Sequence, residues 1–358
     1  MNGDTNAAPP SEPDAPGRRP SIADIDISVG GMDFSRADLV LIARVADEVG
    51  VGTMFLTEPP GRDSFAVLAE LAVRTARIGL GTSIVNVFGR TPTALASATA
   101  TVMETMGDRH FSLGLGTSGK QLMQKYYGAD FSRPVSRLAE TVRIIDHIFR
   151  TGSLPDGGEM FPLAGLPLGM PVPPREQLSI YVAGLSDRTL EVTGRYADGW
   201  MPIWVSMSQG LGLAKLVFDA AEQAGRPRPK VGAVAYGGVG EGPELVRHVK
   251  STLAWYVAAN GTAYRRLFER YGYGDEVGRI CQLWSSGQRD QAREAVSDHL
   301  LDDTTLLGPP TSFFAQVRRL RMAGVDRPIL RIHGQLTAPQ AIDMLARLAS
   351  DDGREGAS

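Results

Sequence analysis

Short β-branched or apolar runs alternate with longer Ala-, Leu- and Arg-rich segments along most of this chain. The short runs indicate strands, and the repeat of apolar residues every three or four positions in the longer segments indicates helices. The predicted strands are 24–30, 52–58, 78–86, 111–117, 178–185, 199–205, 230–237 and 328–333. The predicted helices are 36–49, 64–75, 93–106, 134–150, 187–196, 210–224, 243–259, 311–323 and 339–348.

Capping residues support several of these helix boundaries. Ser35 precedes the first helix, where a hydroxyl can accept a hydrogen bond from a backbone N–H, and Gly50 follows its last residue. Thr91 stands before Pro92, and proline is favoured at the first helical position because it has no N–H to leave unpaired.

The strict alternation of eight strands with helices predicts an α/β fold with parallel pairing, because parallel neighbours need a helical crossover. Eight units in 358 residues fit a (β/α)8 TIM barrel with insertions, and an open doubly wound sheet is the alternative. The insertions are predicted near 151–177 and 260–308. We expect a single barrel domain over 24–350, with disordered tails at 1–23 and 351–358.

Composition narrows the possible functions. The chain is 43% hydrophobic with a formal net charge of −3, which argues against a nucleic-acid surface or a polybasic membrane patch. It has no run of about 18 uncharged apolar residues and no signal-peptide pattern, so we expect a soluble cytoplasmic protein. A single cysteine, Cys281, excludes a disulfide framework and a cysteine-based metal site.

The carboxyl ends of the predicted strands are small, hydroxylated or glycine-rich. Such residues let a flat ligand approach the backbone, and in a parallel barrel they share one rim. The turn after the fifth strand, Ala183-Gly-Leu-Ser186, leads into a helix, so its N–H groups could hold a phosphate. The simpler interpretation is that Ser186 only caps that helix. The rim segments are 57–58, 82–86, 116–119, 183–186, 202–204 and 331–333.

Several apparent motifs carry little weight. Residues 114–119 match GxGxxG, but two of the glycines lie inside the predicted strand, and Gln121 stands where a phosphate-binding P-loop needs Ser or Thr. The five histidines show no metal-binding spacing, so no metal site is predicted. His110 precedes a strand and is expected to be structural. His333 alone lies at the end of a strand where an acid or base could act.

Four segments carry a family resemblance. They are 78–119, with Arg90-Thr-Pro92 and Gly114-Leu-Gly-Thr117; 131–152; 180–200, with Ala183-Gly-Leu-Ser-Asp187 and Ala197-Asp-Gly-Trp200; and 264–310. Together they resemble the luciferase-like flavin and deazaflavin oxidoreductases over about residues 26–350. The fourth segment is similar to a helical insertion of the branch that uses coenzyme F420.

This resemblance implies roles for particular residues. Ser83 and Ile84 align with a non-prolyl cis peptide whose bulge supports the back of the deazaflavin ring, and Asn86 would lie beside the cofactor. Thr117 and Ser118 would line the ring and ribityl region, and Ala183, Gly184 and Leu185 would donate backbone hydrogen bonds to the phosphate. Trp204 and His333 would face the substrate. The resemblance also implies a homodimer, and substrate contacts are expected from 151–177 and 260–308.

The chain departs from the family pattern at two positions. The Asp-His pair that often follows the second strand is replaced by Glu58-Pro59, and the Glu that follows the GxGT turn in the sugar-phosphate dehydrogenases is replaced by Gly119. Both acid/base groups of that subgroup are therefore missing, and sugar-phosphate chemistry is not expected.

The leading hypothesis is an F420-dependent oxidoreductase that transfers a hydride between the deazaflavin C5 and a small organic substrate. Glu58 or His333 would handle the proton, although Glu58 could instead be the structural partner of a nearby arginine. One alternative is a two-component monooxygenase that takes FMNH2 from a separate flavin reductase. Another is a non-catalytic flavin-binding protein.

Overall fold

A computed structural model describes residues 20–239, 242–332 and 335–351. The strands are β1 (Asp26–Gly30), β2 (Thr53–Thr57), β3 (Gly79–Asn86), β4 (Phe111–Gly116), β5 (Asp156–Gly157), β6 (Leu163–Ala164), β7 (Leu178–Ala183), β8 (Gly199–Trp200), β9 (Lys230–Val239), β10 (Leu306–Gly308) and β11 (Arg327–Ile332).

The helices surround these strands. They are α1 (Arg36–Val49), α2 (Ser64–Arg74), α3 (Pro92–Met106), α4 (Lys120–Lys125), α5 (Pro134–Thr151), α6 (Asp187–Tyr196), α7 (Ala214–Gln223), α8 (Pro243–Ala259), α9 (Thr262–Arg270), α10 (Gly274–Ser285), α11 (Arg289–Glu294), α12 (Asp298–Thr304), α13 (Pro310–Met322) and α14 (Ala338–Asp351).

Eight of the strands close into a parallel barrel. Their order is β11-β1-β2-β3-β4-β7-β8-β9, and parallel pairing of β9 with β11 completes the ring. The (β/α)8 TIM barrel is therefore confirmed, and the open sheet is excluded. Each barrel strand matches one of the eight predicted strands. β8 is much shorter than the predicted 199–205, because Pro202 has no N–H to continue the ladder.

Local capping chemistry begins and ends the helices as expected. Ser35 accepts a hydrogen bond from the Asp38 N–H at the start of α1, and Gly50 ends that helix at φ 87°, in the left-handed region. Thr91 caps α3 in the same way, with Pro92 as its first residue. These boundaries were determined by short-range interactions, which is why the sequence predicts them closely.

Three hydrophobic clusters stabilise the fold. The largest lies between the barrel strands and the surrounding helices. A small one fills the barrel interior and contains Phe55, Tyr181, Met201, Val234 and Ile329. The barrel is thus a packed core rather than a pore, and its ligand site has to lie at one end.

The third cluster corrects the predicted extent of the late insertion. The buried residues of α8 pack with those of α9 to α12, apart from the barrel helices, whereas those of α13 join the main core. The insertion therefore begins with α8 rather than at residue 260, and α13 is the helix that packs on the barrel before β11. The helical period of 243–259 shows an apolar face but does not show which core covers it.

The segment 151–177 connects the end of α5 to the start of β7 and contains the antiparallel β5–β6 hairpin. Its middle part returns along α5 to the beginning of that helix, where Glu159 pairs with Arg133 and the Phe161 ring packs on Arg137. Arg137 also packs on Phe88, which follows β3. The expectation that this segment contributes substrate contacts stays a prediction.

Part of the segment predicted as an N-terminal tail is folded. Ile22–Asp24 forms a 3-10 helix, and both Ile22 and Asp24 are buried. The predicted tail of 1–23 thus extends too far, because a short segment that packs on a barrel has no periodicity to detect. Residues 1–19 and 352–358 lie outside the described residues, and Asp351 is the last residue of α14.

Candidate active site

The third strand breaks its pairing with β4 at the rim. The register shifts between Thr82 and Val85, and the peptide bond between Ser83 and Ile84 is cis, as the family resemblance implied. The Thr82 hydroxyl accepts a hydrogen bond from the Gly114 N–H and donates one to the Gly114 carbonyl, both at 2.9 Å. This fully buried side chain therefore satisfies the two backbone groups that the broken ladder leaves behind.

The bulge directs Ile84 over β4. A Cβ at Gly114 would overlap the Thr82 carbonyl oxygen, and one at Gly116 would lie 3.0 Å from Cδ1 of Ile84. Only glycine allows the two strands to approach this closely. The result is an apolar wall made by Ile84 at the end of the barrel.

This wall borders a cleft of about 370 Å³. The cleft brings together six of the eight predicted cofactor residues: Ile84, Thr117, Ser118, Ala183, Gly184 and Leu185. They come from β3, from the turn after β4 and from the turn after β7, which the closed barrel places side by side. Ser118 has a φ of 55°, so the turn after β4 bends sharply at the cleft.

Ser83 and Asn86 do not line this cleft. The Ser83 hydroxyl is hydrogen-bonded to that of Ser28 at 2.8 Å, and Ser28 also accepts from Arg331 at 3.3 Å. Asn86 is buried, and its Oδ1 accepts from the N–H groups of Phe88 and Gly89. Both residues support the backbone around the bulge.

The turn after β7 has the features of both interpretations of the sequence, a helix cap and an anion-binding turn. Ser186 caps α6 by accepting from the Thr189 N–H, and Trp200 Nε1 donates to the Gly184 carbonyl at 2.8 Å. Within the described ranges, neither the Gly184 nor the Leu185 N–H donates to another protein group. The turn is therefore held in place while two of its amides remain open to an anion.

Glu58 is paired with an arginine, as the structural alternative for this residue predicted. Both its carboxylate oxygens accept from Arg90, at 2.7 and 2.8 Å, and one also accepts from the Ser64 N–H at 3.3 Å. Its side chain is only 4% exposed. The hydrogen bonds that Arg90 donates to Glu58 raise the pKa of Arg90 above its ordinary value, and its bond to Asp63 adds to this effect, against the opposing effect of burial. The carboxylate that was a candidate base is thus engaged by a permanent cation.

Trp204 is buried rather than exposed to the cleft. Its ring stacks on Tyr236 with centroids 4.6 Å apart and belongs to the core of the insertion. His333, the other catalytic candidate, lies outside the described residues. His110 is hydrogen-bonded to Ser179 at 2.8 Å at the beginning of β4, in keeping with a structural role.

The cleft also contains rim residues that the sequence predicted and residues that it did not single out. The former are Gly116, Gly119, Ser186 and Ile203, and the latter are Thr189, Met201, Asn260, Ala263 and Tyr264. Asn260 directly follows α8, and Ala263 and Tyr264 lie in the first turn of α9, so the insertion does reach the site, as predicted for 260–308. The Tyr264 phenol can donate a hydrogen bond at neutral pH, and burial raises its pKa, so it remains a donor over a wider pH range than an exposed tyrosine.

The described ranges contain neither a membrane-spanning helix nor a metal cluster. None of their helices is both long and apolar enough to cross a membrane. They also contain no grouping of three or more His, Cys, Asp or Glu side chains that could hold a metal ion.

Comparison with known proteins identifies the family. The luciferase-like monooxygenase family matches residues 15–327. This chain belongs to that family. It is an oxidoreductase, as are the named relatives.

Two relatives match most of the chain. A provisionally named coenzyme F420-dependent oxidoreductase of Mycobacterium tuberculosis is 29% identical over 310 residues, which are 81% of this chain and 89% of the relative. The 5,10-methylenetetrahydromethanopterin reductase of Archaeoglobus fulgidus is 24% identical over 306 residues, covering 83% of this chain and 90% of that protein.

A solved structure supports the fold. The coenzyme F420-dependent tetrahydromethanopterin reductase of Methanopyrus kandleri superposes with a TM-score of 0.77 at 17% identity, over 92% of this chain and 98% of the other. At this identity the likeness concerns the architecture alone.

Replacing Thr82 tests whether its hydroxyl maintains the bulge. Thr82→Val keeps the shape but leaves the Gly114 N–H and carbonyl unpaired in a buried position, so we expect the free energy of unfolding to fall by about 2–4 kcal/mol. Thr82→Ser keeps the hydroxyl and should cost about 1 kcal/mol, for the lost methyl. Urea unfolding measures both, and equal losses in the two variants would contradict the assigned role.

Glu58→Gln separates the two hypotheses for Glu58. A structural role predicts a loss of about 1–3 kcal/mol in the free energy of unfolding, because the amide cannot replace a buried carboxylate beside Arg90. Asp63→Asn is the matched control, since Asp63 contacts the same arginine but is 52% exposed and should contribute less than about 1 kcal/mol. Wild-type stability in Glu58→Gln would return Glu58 to the catalytic candidates.

Proposed function

We propose that this chain is a coenzyme F420-dependent oxidoreductase that transfers a hydride between the deazaflavin C5 and a small organic substrate. The proposal depends on one observation. A single cleft joins the apolar wall at Ile84 to a turn with open amides at Gly184 and Leu185. A ligand with a flat ring and a phosphate at the end of a polar chain would match this cleft, because its ring could lie on the apolar wall while its phosphate accepts from the open amides.

The residues of the cleft fit such a group. Ile84, Ala183, Met201 and Ile203 provide apolar surface for a ring, and Thr117, Ser118 and Ser186 add hydroxyl groups along the path to the turn. The N-terminus of α6 lies at that turn, and its dipole favours a negative charge. No lysine is needed for a phosphate held in this way.

The names of the relatives favour F420 over FMN. Both relatives described above are reductases or oxidoreductases named for F420 or for a pterin substrate. A monooxygenase from Streptomyces bottropensis shares the fold with a TM-score of 0.67 at 18% identity, so the barrel alone does not distinguish the cofactors.

When bound, the deazaflavin supplies the carbon that takes up or releases the hydride. The chain's own contribution is to position the ring and exclude water. Ile84 would support one face of the ring, and Ala263 and Tyr264 at the beginning of α9 would border it from the insertion. Glu58 is bound by Arg90, so the proton that accompanies hydride transfer would be handled by Tyr264, a hydrogen-bond donor on the cleft wall, or by His333.

Two predictions about partners follow from the same reasoning. A homodimer is expected from the family resemblance. A separate flavin reductase would be needed only by an FMN-dependent enzyme, because that chemistry requires a supply of FMNH2. The protein is expected to act in the cytoplasm.

Cofactor titration tests the proposed function directly. We expect the fluorescence of F420 to be quenched or shifted on binding, and the protein to bind F420 at least tenfold more tightly than FMN. The reduced cofactor should then be reoxidised by a member of a panel of ketones and imines. Binding of FMN with none of F420 would contradict the proposal and favour the monooxygenase, whereas binding of F420 without turnover on any substrate would favour a non-catalytic protein.

Gly184→Ala tests the phosphate turn. A Cβ there would lie 2.5 Å from Oγ1 and 2.6 Å from Cβ of Thr189, so the turn must shift and its amides lose their alignment. We expect the affinity for F420 to fall by about tenfold or more, as when charge-assisted hydrogen bonds are lost. Gly278→Ala is the control, because Gly278 lies on α10 outside the cleft and a Cβ there meets open space. Equal affinities in the two variants would remove the assignment.

A further inference from the structure

A groove of about 430 Å³ lies next to the cleft, beside the phosphate turn. Leu185, Ser186 and Ala263 line both, so the groove and the cleft adjoin each other at these residues. Helices α6 and α9 form its sides, and Leu213 and Leu267 contribute apolar surface. Apart from the three shared residues, the groove is lined by residues that do not line the cleft.

The groove is positively charged in a protein whose net charge is −3. Arg188, Arg266 and Arg270 line it, together with a single carboxylate, Asp187. Arg270 is paired with Asp187 at 3.1 Å. Arg188 and Arg266 are exposed, and in the described ranges neither forms an ion pair or a hydrogen bond with another side chain. Three arginines against one aspartate leave two positive charges beside the turn.

The chemistry of the cofactor supplies an anion for this position. Beyond its phosphate, F420 carries a lactyl group and a chain of glutamates, each of which adds a carboxylate, whereas FMN ends at its phosphate. A planar guanidinium pairs well with a carboxylate. We propose that the groove between α6 and α9 is a subsite for the oligoglutamate tail of F420, with Arg188 and Arg266 as its binding residues. This inference rests on the proposed function and adds a site for the part of the cofactor that FMN lacks.

The expected contribution is modest because both arginines are exposed. Exposed ion pairs change an equilibrium by a factor of roughly 1.5 to 5 each, and salt screens them. The wild-type protein should therefore bind F420 that carries several glutamates roughly 2- to 20-fold more tightly than the form without glutamates at low ionic strength. The ratio should approach one at about 1 M salt, where the screening length is short.

Charge reversal tests the assignment by binding alone. Fluorescence titrations compare F420 with several glutamates, F420 without glutamates, and FMN, on the purified full-length chain. The double variant Arg188→Glu/Arg266→Glu should lose the preference for the glutamylated form, and its affinity for the other two ligands should fall less, because these carry fewer negative charges. The double lysine variant should retain most of the preference, because the positive charges remain. Arg44→Glu, an exposed arginine on α1 across the barrel, should change nothing.

The outcomes separate this inference from the proposed function. Equal wild-type affinities for the two forms of F420, or an unchanged ratio in the double glutamate variant, would overturn the tail subsite while leaving F420 as the cofactor. If the double variant unfolds, Arg188→Gln/Arg266→Gln gives the same test without added negative charge. Binding of FMN with no binding of either form of F420 would overturn both proposals together.

Discussion

The candidate site depends on how one threonine compensates for a broken strand pairing. Where β3 leaves its register with β4, the Thr82 hydroxyl forms hydrogen bonds with both the N–H and the carbonyl of Gly114. A buried backbone group without a partner costs free energy, so a bulge inside a closed barrel needs such a replacement. The absence of a side chain at Gly114 then allows Ile84 to lie across β4 and to form the apolar wall. The cleft exists because these short-range requirements are met together.

Charge is distributed so that the site stays open to an anion. The buried carboxylate nearest to the end of β2, Glu58, is neutralised by Arg90 and therefore adds no unpaired negative charge there. At the turn after β7, attraction comes from backbone amides and the α6 dipole, and the neighbouring groove adds exposed arginines. A chain with a net negative charge can bind an anionic ligand in this way, because electrostatic attraction acts over about one screening length rather than over the whole molecule.

Contacts between distant segments decide where each insertion lies. The connection between α5 and β7 returns along α5 to the beginning of that helix, where Glu159 pairs with Arg133. The insertion that starts at α8 follows β9 and brings Asn260, Ala263 and Tyr264 to the cleft. Both segments are long, and their length alone gave no basis for predicting these positions.

The sequence by itself determined the barrel, its strand order and much of the cleft wall. Strand and helix periods and caps such as Ser35 and Thr91 depend on neighbours along the chain, and the turns at Thr117 and Gly184 follow directly from strand ends. Only the tertiary structure decided the partner of Glu58, the burial of Trp204 and the position of Tyr264. Each depends on residues far away in the chain, 32 positions away for Glu58 and Arg90. Periodicity shows which face of an element is apolar or charged, and contacts between elements decide what that face meets.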